Sequence, residues 1–382
     1  MAREATVEQR VTPLELFFDL VFVFALTQVT GLLADDPSWT GLGRGLLMLA
    51  ALWWAWAAYA WLTNTIDPDE TVARLTVFAA MAAMLVASLA VPGAFGGEGA
   101  VFAVAYFVVR AMHIALYARG TRDDPDVLRA VLRMTPTSFA GPGLIVAGAF
   151  LDSPGQELVW GAALLIDYLG VLIGRGAGWR VSPGHFAERH GLVVIIAIGE
   201  SIVSVGAGAG TDLDGGIVVA GLFGVAVAAA IWWQYFDVVA VVAERKLTEL
   251  TGVARAAQAR DSYSYLHLPM VAGIVLFAFG VKKVLAHTDH ALDTVPAVAL
   301  LGGLALYFLA HVAFRLRNMR TVAWRRLVTA AVLIGLIPAT ADVDAVVVLG
   351  LAAAVTTAQI AYEAIRFAEP RNRLRQSLRQ PA

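Results

Sequence analysis

Glu188-Arg189-His190-Gly191-Leu192-Val193-Val194-Ile195-Ile196-Ala197-Ile198-Gly199-Glu200-Ser201-Ile202-Val203-Ser204 is the stretch on which the fold turns. A charged cluster at 188–190 gives way to nine uncharged residues, and then Glu200 stands inside an apolar run that continues beyond it. A segment of about 20 mainly apolar residues crosses a bilayer core. A carboxylate near the middle of such a span costs about 3 kcal/mol on insertion scales, so Glu200 needs a partner or a purpose.

The rest of the chain has the same character. Of its 382 residues, 59% are hydrophobic and 15% charged, with a mean hydropathy of +0.71. An ordinary soluble domain is roughly 45–50% apolar and about 25% charged. The composition predicts an all-α polytopic membrane bundle and leaves no polar stretch long enough for a soluble domain. The absence of cysteine excludes disulfides and thiolate chemistry. Only a short polar arm precedes the first apolar segment and no small-residue cleavage site follows it, so the first span is expected to remain in the mature protein.

About twelve spans are expected, at 13–34, 43–64, 74–93, 99–119, 128–151, 156–176, 189–209, 216–242, 262–285, 294–315, 322–340 and 343–366. Pro136 and Pro142 in the fifth, Pro269 in the ninth and Pro338 in the eleventh predict kinks or breaks. Basic residues concentrate on one side: Arg119, Arg122, Arg129 and Arg133, then Arg175, Arg180 and Arg189, then Arg245, Lys246, Arg255 and Arg260, then Arg315 to Arg326, and finally the tail from Arg366 to Arg379. The other side has Arg44, Lys282 and Lys283 among acids such as Asp35, Asp212 and Asp342. The positive-inside rule places both termini in the cytoplasm, in the cell inner (plasma) membrane. The basic tail reads as a topology anchor touching lipid headgroups rather than a nucleic-acid arm.

The halves also match in order. Leu20-Val21-Phe22-Val23-Phe24-Ala25 precedes Trp53-Trp54-Ala55-Trp56 as Leu192-Val193-Val194-Ile195-Ile196-Ala197 precedes Trp232-Trp233-Gln234-Tyr235, and Tyr106-Phe107 pairs with Tyr307-Phe308. Two parallel six-span repeats are expected, over 1–180 and 181–382, meeting at an axis along the membrane normal. The tryptophan pairs read as packing residues rather than a ligand cage.

The first span, Thr12-Pro13-Leu14-Glu15-Leu16-Phe17-Phe18-Asp19-Leu20-Val21-Phe22-Val23-Phe24-Ala25, resembles the opening motif of the bacterial low temperature requirement protein A family. Arg189-His190-Gly191-Leu192 through Ile198-Gly199-Glu200-Ser201-Ile202 resembles that family's second motif. The resemblance implies an integral membrane protein of a family named for growth at low temperature, hence a part in stress response, and it supplies no reaction. Phe17-Phe18-Asp19-Leu20-Val21-Phe22 is also similar to the Phe-Ser-Asp motif of the lysosomal potassium channel family. There Phe18 stands in place of the serine and the seventh span lacks the motif, so this likeness is only a pointer towards ion conduction.

Depth along each span places Glu200, Arg110 and Asp167 near the midplane, and Asp19, His113, His190, Asp237, His267 and His311 in the inner half. Tyr106, Arg110, His113 and Tyr117 repeat at helical spacing and share a face, as do Glu15 and Asp19 one turn apart. Such faces turn inwards, away from lipid. No catalytic constellation, zinc spacing or Walker loop occurs: Ser201 beside Glu200 lacks a nucleophile elbow. The reading is therefore of a non-enzyme without cofactor or metal, working with membrane lipids and a small ion or small-molecule substrate. It is a gradient-driven, proton- or cation-linked transporter or ion pathway built on Glu200, Asp167, Arg110, Asp19, Glu15, His190, His113, Asp237, His311 and Ser201. The alternative is a non-transporting sensor or scaffold that tolerates neutralisation of those groups.

Overall fold

The computed structural model describes residues 10–173, 178–208 and 214–366. Arg175, Asp212 and the basic tail from Arg371 to Arg379, all used in the sequence reading, lie outside the described residues. Among the described residues no strand forms, and twelve helices follow one another. They are α1 Pro13–Asp35, α2 Trp39–Thr63, α3 Thr71–Leu89, α4 Gly99–Gly120, α5 Pro125–Gly148, α6 Gly155–Ile173, α7 Pro183–Gly208, α8 Gly215–Glu249, α9 Gly252–Ala286, α10 Thr294–Met319, α11 Trp324–Leu336 and α12 Ala345–Arg366.

Each expected span thus has its helix, and ten are long and apolar enough to cross a membrane. The other two are α5, diluted by Arg129, Arg133 and the run Thr135-Pro136-Thr137-Ser138, and α11, which ends after 13 residues. Apolar side chains face outwards in stripes, as with Leu75, Phe78, Leu85 and Leu89 on α3 and Leu158, Leu165, Leu169 and Leu172 on α6. Water would penalise such faces, whereas lipid accepts them.

Local chemistry explains the boundaries. Thr12 caps α1 in a capping box: its hydroxyl accepts from the Glu15 N–H while the Glu15 carboxylate accepts from the Thr12 N–H. Ser38 and Asp214 cap α2 and α8 through their side-chain oxygens. Of the prolines, Pro136 and Pro142 leave α5 continuous, so no break occurs there. Before Pro269 the chain widens into a π turn over Ala259–Tyr265, which loosens the turn whose carbonyl the ring would strike. Two residues before Pro338, α11 gives way to a 3-10 turn at Ile337–Thr340. Further π turns occur in α8 at Tyr235–Val239 and in α10 at Val298–Gly302.

The chain folds into two compact units. One comprises Met1–Ala197 and Glu244–Leu268, the other Ile198–Ala243 and Pro269–Ala382. In the first, α1 packs on α2 and α3, α4 on α3 and α5, α5 on α6, and α2 also meets α4 and α6. In the second, α8 packs on α12, α10 on α11, and α11 on α12. Close approach in the first unit depends on Gly141, where a Cβ would stand 3.0 Å from both the Ala163 carbonyl oxygen and the Asp167 Cβ. That glycine lets α5 press against α6 and fixes where Asp167 lies.

Candidate functional site

The first unit holds two buried charge clusters, one between α1 and α7 and the other between α4 and α6. In one, Arg189 of α7 reaches both acids of α1. Its Nη1 donates to Glu15 Oε1 at 2.8 Å and to Thr63 Oγ1 at 3.1 Å, and its Nη2 donates to Asp19 Oδ1 at 2.8 Å. Trp56 Nε1 donates to the same Asp19 oxygen at 2.8 Å, and the guanidinium lies 5.6 Å from the Trp56 ring centre. All four of these residues other than Thr63 are at most 2% exposed.

His185 completes the cluster, and its neighbours determine its tautomer. The Ser182 N–H donates to Asn64 Oδ1 at 2.8 Å, which turns the Asn64 amide nitrogen towards His185 Nδ1 at 2.9 Å. Nδ1 must accept, so the ring proton sits on Nε2, which donates to Glu15 Oε2 at 3.0 Å. His185 is therefore neutral in this arrangement. Two carboxylates then share one guanidinium, and both oxygens of Glu15 are engaged. Asp19 Oδ2 is the oxygen without a hydrogen-bond partner.

The second cluster is smaller and faces a cavity. Arg110 Nη2 of α4 donates to Asp167 Oδ1 of α6 at 3.0 Å, with the side chains 3% and 1% exposed. Arg110 Nε and Asp167 Oδ2 have no partner, and neither ring nitrogen of His113 has one. A cavity of about 60 Å³ adjoins Arg110 and His113, lined also by Tyr117, Trp54, Trp61 and Ser138. At 10–15 Å³ each, it has room for on the order of four waters. Arg110, His113 and Tyr117 span eight residues of α4, or about 10 Å of its length, along one side of this space. Arg260 and Ser264 enter the same cavity from α9, where the π turn rotates them relative to the rest of the helix.

The remaining predicted residues are distributed as follows. His190 donates its Nδ1 hydrogen to the Phe186 carbonyl at 2.8 Å and packs edge-on to Trp56, with ring centres 5.1 Å apart. Its Nε2 is buried without a partner. Glu200 and Ser201 belong to the second unit, which begins at Ile198. Glu200 Oε1 accepts from Ser204 Oγ at 3.3 Å, and Ser201 Oγ donates to the Ile198 carbonyl at 2.6 Å. His311 Nδ1 lies 2.8 Å from Arg326 Nη1, and Asp237 lines a separate cavity of that unit. Arg110 and Asp167 thus meet as their depth predicts, while Glu200 lies in the other unit. Arg44, expected among the few basic residues of its side, is ion-paired to Glu157 at 2.6 Å.

Sequence reasoning left Arg189, His185, Asn64 and Trp56 out of the site. The spacing of His185 and Arg189, four residues apart at the start of α7, is the one signal that could have raised them. Nothing in the sequence points to Trp61, Ser138 or Ser264 as cavity walls, because a π turn and helix crossings bring them there. Among the described residues no group of three or more His, Asp or Glu side chains could hold a metal ion.

The family described as bacterial low temperature requirement A protein (LtrA) matches residues 10–361. An uncharacterized protein of Rhizobium meliloti (strain 1021) is 33% identical over 320 residues, covering 80% of this chain and 77% of the relative. No solved structure matches.

Proposed function

The chain belongs to the bacterial low temperature requirement A family of membrane proteins, and on that premise we propose that it is a gradient-driven pathway in which a proton is exchanged at Asp19. The observation that carries the proposal is the odd charge of the α1–α7 cluster. Glu15 and Asp19 share Arg189, His185 is held neutral, and one buried oxygen, Asp19 Oδ2, is left over. An unpaired charge inside a span is expensive, and a proton on that oxygen removes the cost. A site that is one charge short by construction is suited to take up and release a proton.

The Arg110–Asp167 cluster supplies the complementary part. It is balanced in charge, and Arg110 borders a cavity with room for a few waters, which suits it to a hydrated ion or small polar solute. His113, on the same wall, could relay protons. Glu200 is a further intramembrane carboxylate whose place in the pathway Glu200→Gln tests. The matching orders of helix pairing, α2 with α6 and α8 with α12, α4 with α5 and α10 with α11, support two six-helix repeats. Under this reading both termini are cytoplasmic.

The test is proton flux into proteoliposomes containing the full chain, read with an internal pH-sensitive dye under an imposed gradient. Asp19→Asn keeps an oxygen that accepts from both Arg189 and Trp56, and it replaces the partnerless oxygen with an amide nitrogen. Its fold should survive and its proton flux should vanish. A monodisperse Asp19→Asn protein with unchanged flux overturns the assignment to Asp19, and absence of flux in the unaltered protein favours a non-transporting sensor or scaffold.

A further inference from the structure

The second unit contains a larger cavity, of about 520 Å³, enclosed by α8, α10, α11 and α12. This volume lies within the roughly 300–1,000 Å³ typical of ligand sites. Its charged lining is Arg315, Arg325 and Arg326 with Asp237 and Glu363, a surplus of one positive charge. The turn after α10 builds this wall. Arg320 ends the helix in the left-handed region at φ 54°, and Arg315 Nε donates to Thr321 Oγ1 at 3.0 Å. Arg325 lies 5.3 Å from the Tyr362 ring centre, and Arg326 Nη2 lies 3.4 Å from Glu363 Oε2.

Two polar groups on the wall are buried and lack partners. Arg326 Nε is a donor and Gln234 Oε1 an acceptor, on residues 6% and 3% exposed. These two atoms are closed off within the wall, and an occupant meets instead the charged ends of exposed Arg315 and Arg325 and half-buried Glu363. The remaining wall is apolar and includes Trp233, Val242 and Phe314. Trp233 is 38% exposed and continues the outward apolar stripe of Leu222, Val225 and Trp232 on α8. The cavity therefore borders the face that α8 turns to lipid. Exposed Trp324, beside the arginines at the start of α11, suits the aromatic belt at a membrane–water interface.

We propose that this cavity is a binding site for the phosphodiester headgroup of an anionic phospholipid. The arginines receive the phosphate, whose single negative charge matches the surplus. Asp237 and Glu363 offer acceptors to headgroup hydroxyls, and the acyl chains leave past Trp233. Basic pockets between spans commonly hold anionic headgroups in this way. The site uses none of the residues of the α1–α7 cluster or of the Arg110 cavity.

Native mass spectrometry of the full chain in detergent, titrated with phosphatidylglycerol, phosphatidylethanolamine or phosphatidylcholine, tests the assignment. Phosphatidylglycerol should be retained selectively, and Arg315→Gln with Arg325→Gln should lower its retention roughly tenfold or more. Val242→Phe leaves every charge in place and narrows the cavity, and it should lower retention as well. Equal retention of the three lipids, or unchanged retention in either variant, overturns the proposal. If the double variant fails to stay monodisperse, Val242→Phe alone decides. Thermal stabilisation of lipid-depleted protein by inorganic phosphate, matching that by phosphatidylglycerol, would assign the site to a soluble anion and overturn the lipid reading.

Discussion

The two charge clusters of the first unit are built from the same residue types and reach opposite states. The cluster of Glu15, Asp19, Arg189 and His185 is dense, with nearly every polar atom bonded, and it is unbalanced by one negative charge. Arg110 and Asp167 are balanced and joined by one hydrogen bond beside a cavity. The first carries the surplus charge, whereas the second has no net charge and lies beside a cavity. A buried ion pair by itself says little about function, because desolvation offsets most of its attraction. What distinguishes these two is the surplus negative charge of one and the space adjoining the other.

The difference can be broken at several points. Arg189→Gln should have the largest effect, because it leaves two carboxylates buried without a cation. A loss of about 3–5 kcal/mol is expected, seen as aggregation or a large fall in thermal midpoint in detergent. Asp167→Asn should cost less, about 1–3 kcal/mol, because water in the cavity can solvate the Arg110 guanidinium. Comparing the thermal midpoints of these two variants checks the ordering, and equal losses would remove the distinction between the clusters.

Glu15→Gln should be destabilising by a similar 1–3 kcal/mol. Both oxygens of Glu15 accept, from Arg189 on one side and from His185 and Thr12 on the other, so an amide nitrogen faces a donor either way. Asp19→Asn should change stability by less than about 1 kcal/mol and abolish proton flux, since its second oxygen has no bond to lose. Ser138→Leu, filling the cavity, should leave stability nearly unchanged and stop passage of the solute while sparing proton exchange at Asp19. Flux assays on these last two variants separate the roles of the clusters.

Much of this was legible in the sequence. Apolar runs of bilayer length located all twelve helices, and helical spacing placed Arg110, His113 and Tyr117 on one face, where they now line one cavity. Depth counting brought Arg110 to the level of Asp167, and they meet. It gave Glu200 the same depth, but depth fixes one coordinate and leaves the lateral position open, and Glu200 falls in the other unit. The tryptophan pairs show the same gap. Trp53 and Trp54 are 0% and 5% exposed, whereas Trp232 and Trp233 are 46% and 38% exposed. Similar motifs face inwards in one half and outwards in the other.

The sequence by itself therefore determined the solvent of this protein, the number and extent of its helices, and which residues would be too costly to leave in lipid, because these follow from hydropathy and helical period along one dimension. The tertiary structure decided which charges share a partner. Arg189 serves two acids about 170 residues away, Asn64 fixes the proton on His185, and a π turn carries Arg260 and Ser264 into the cavity with Arg110. Those relations depend on helix rotation and crossing, which hydropathy does not encode, and they are what separate the proposed proton site from the proposed solute site.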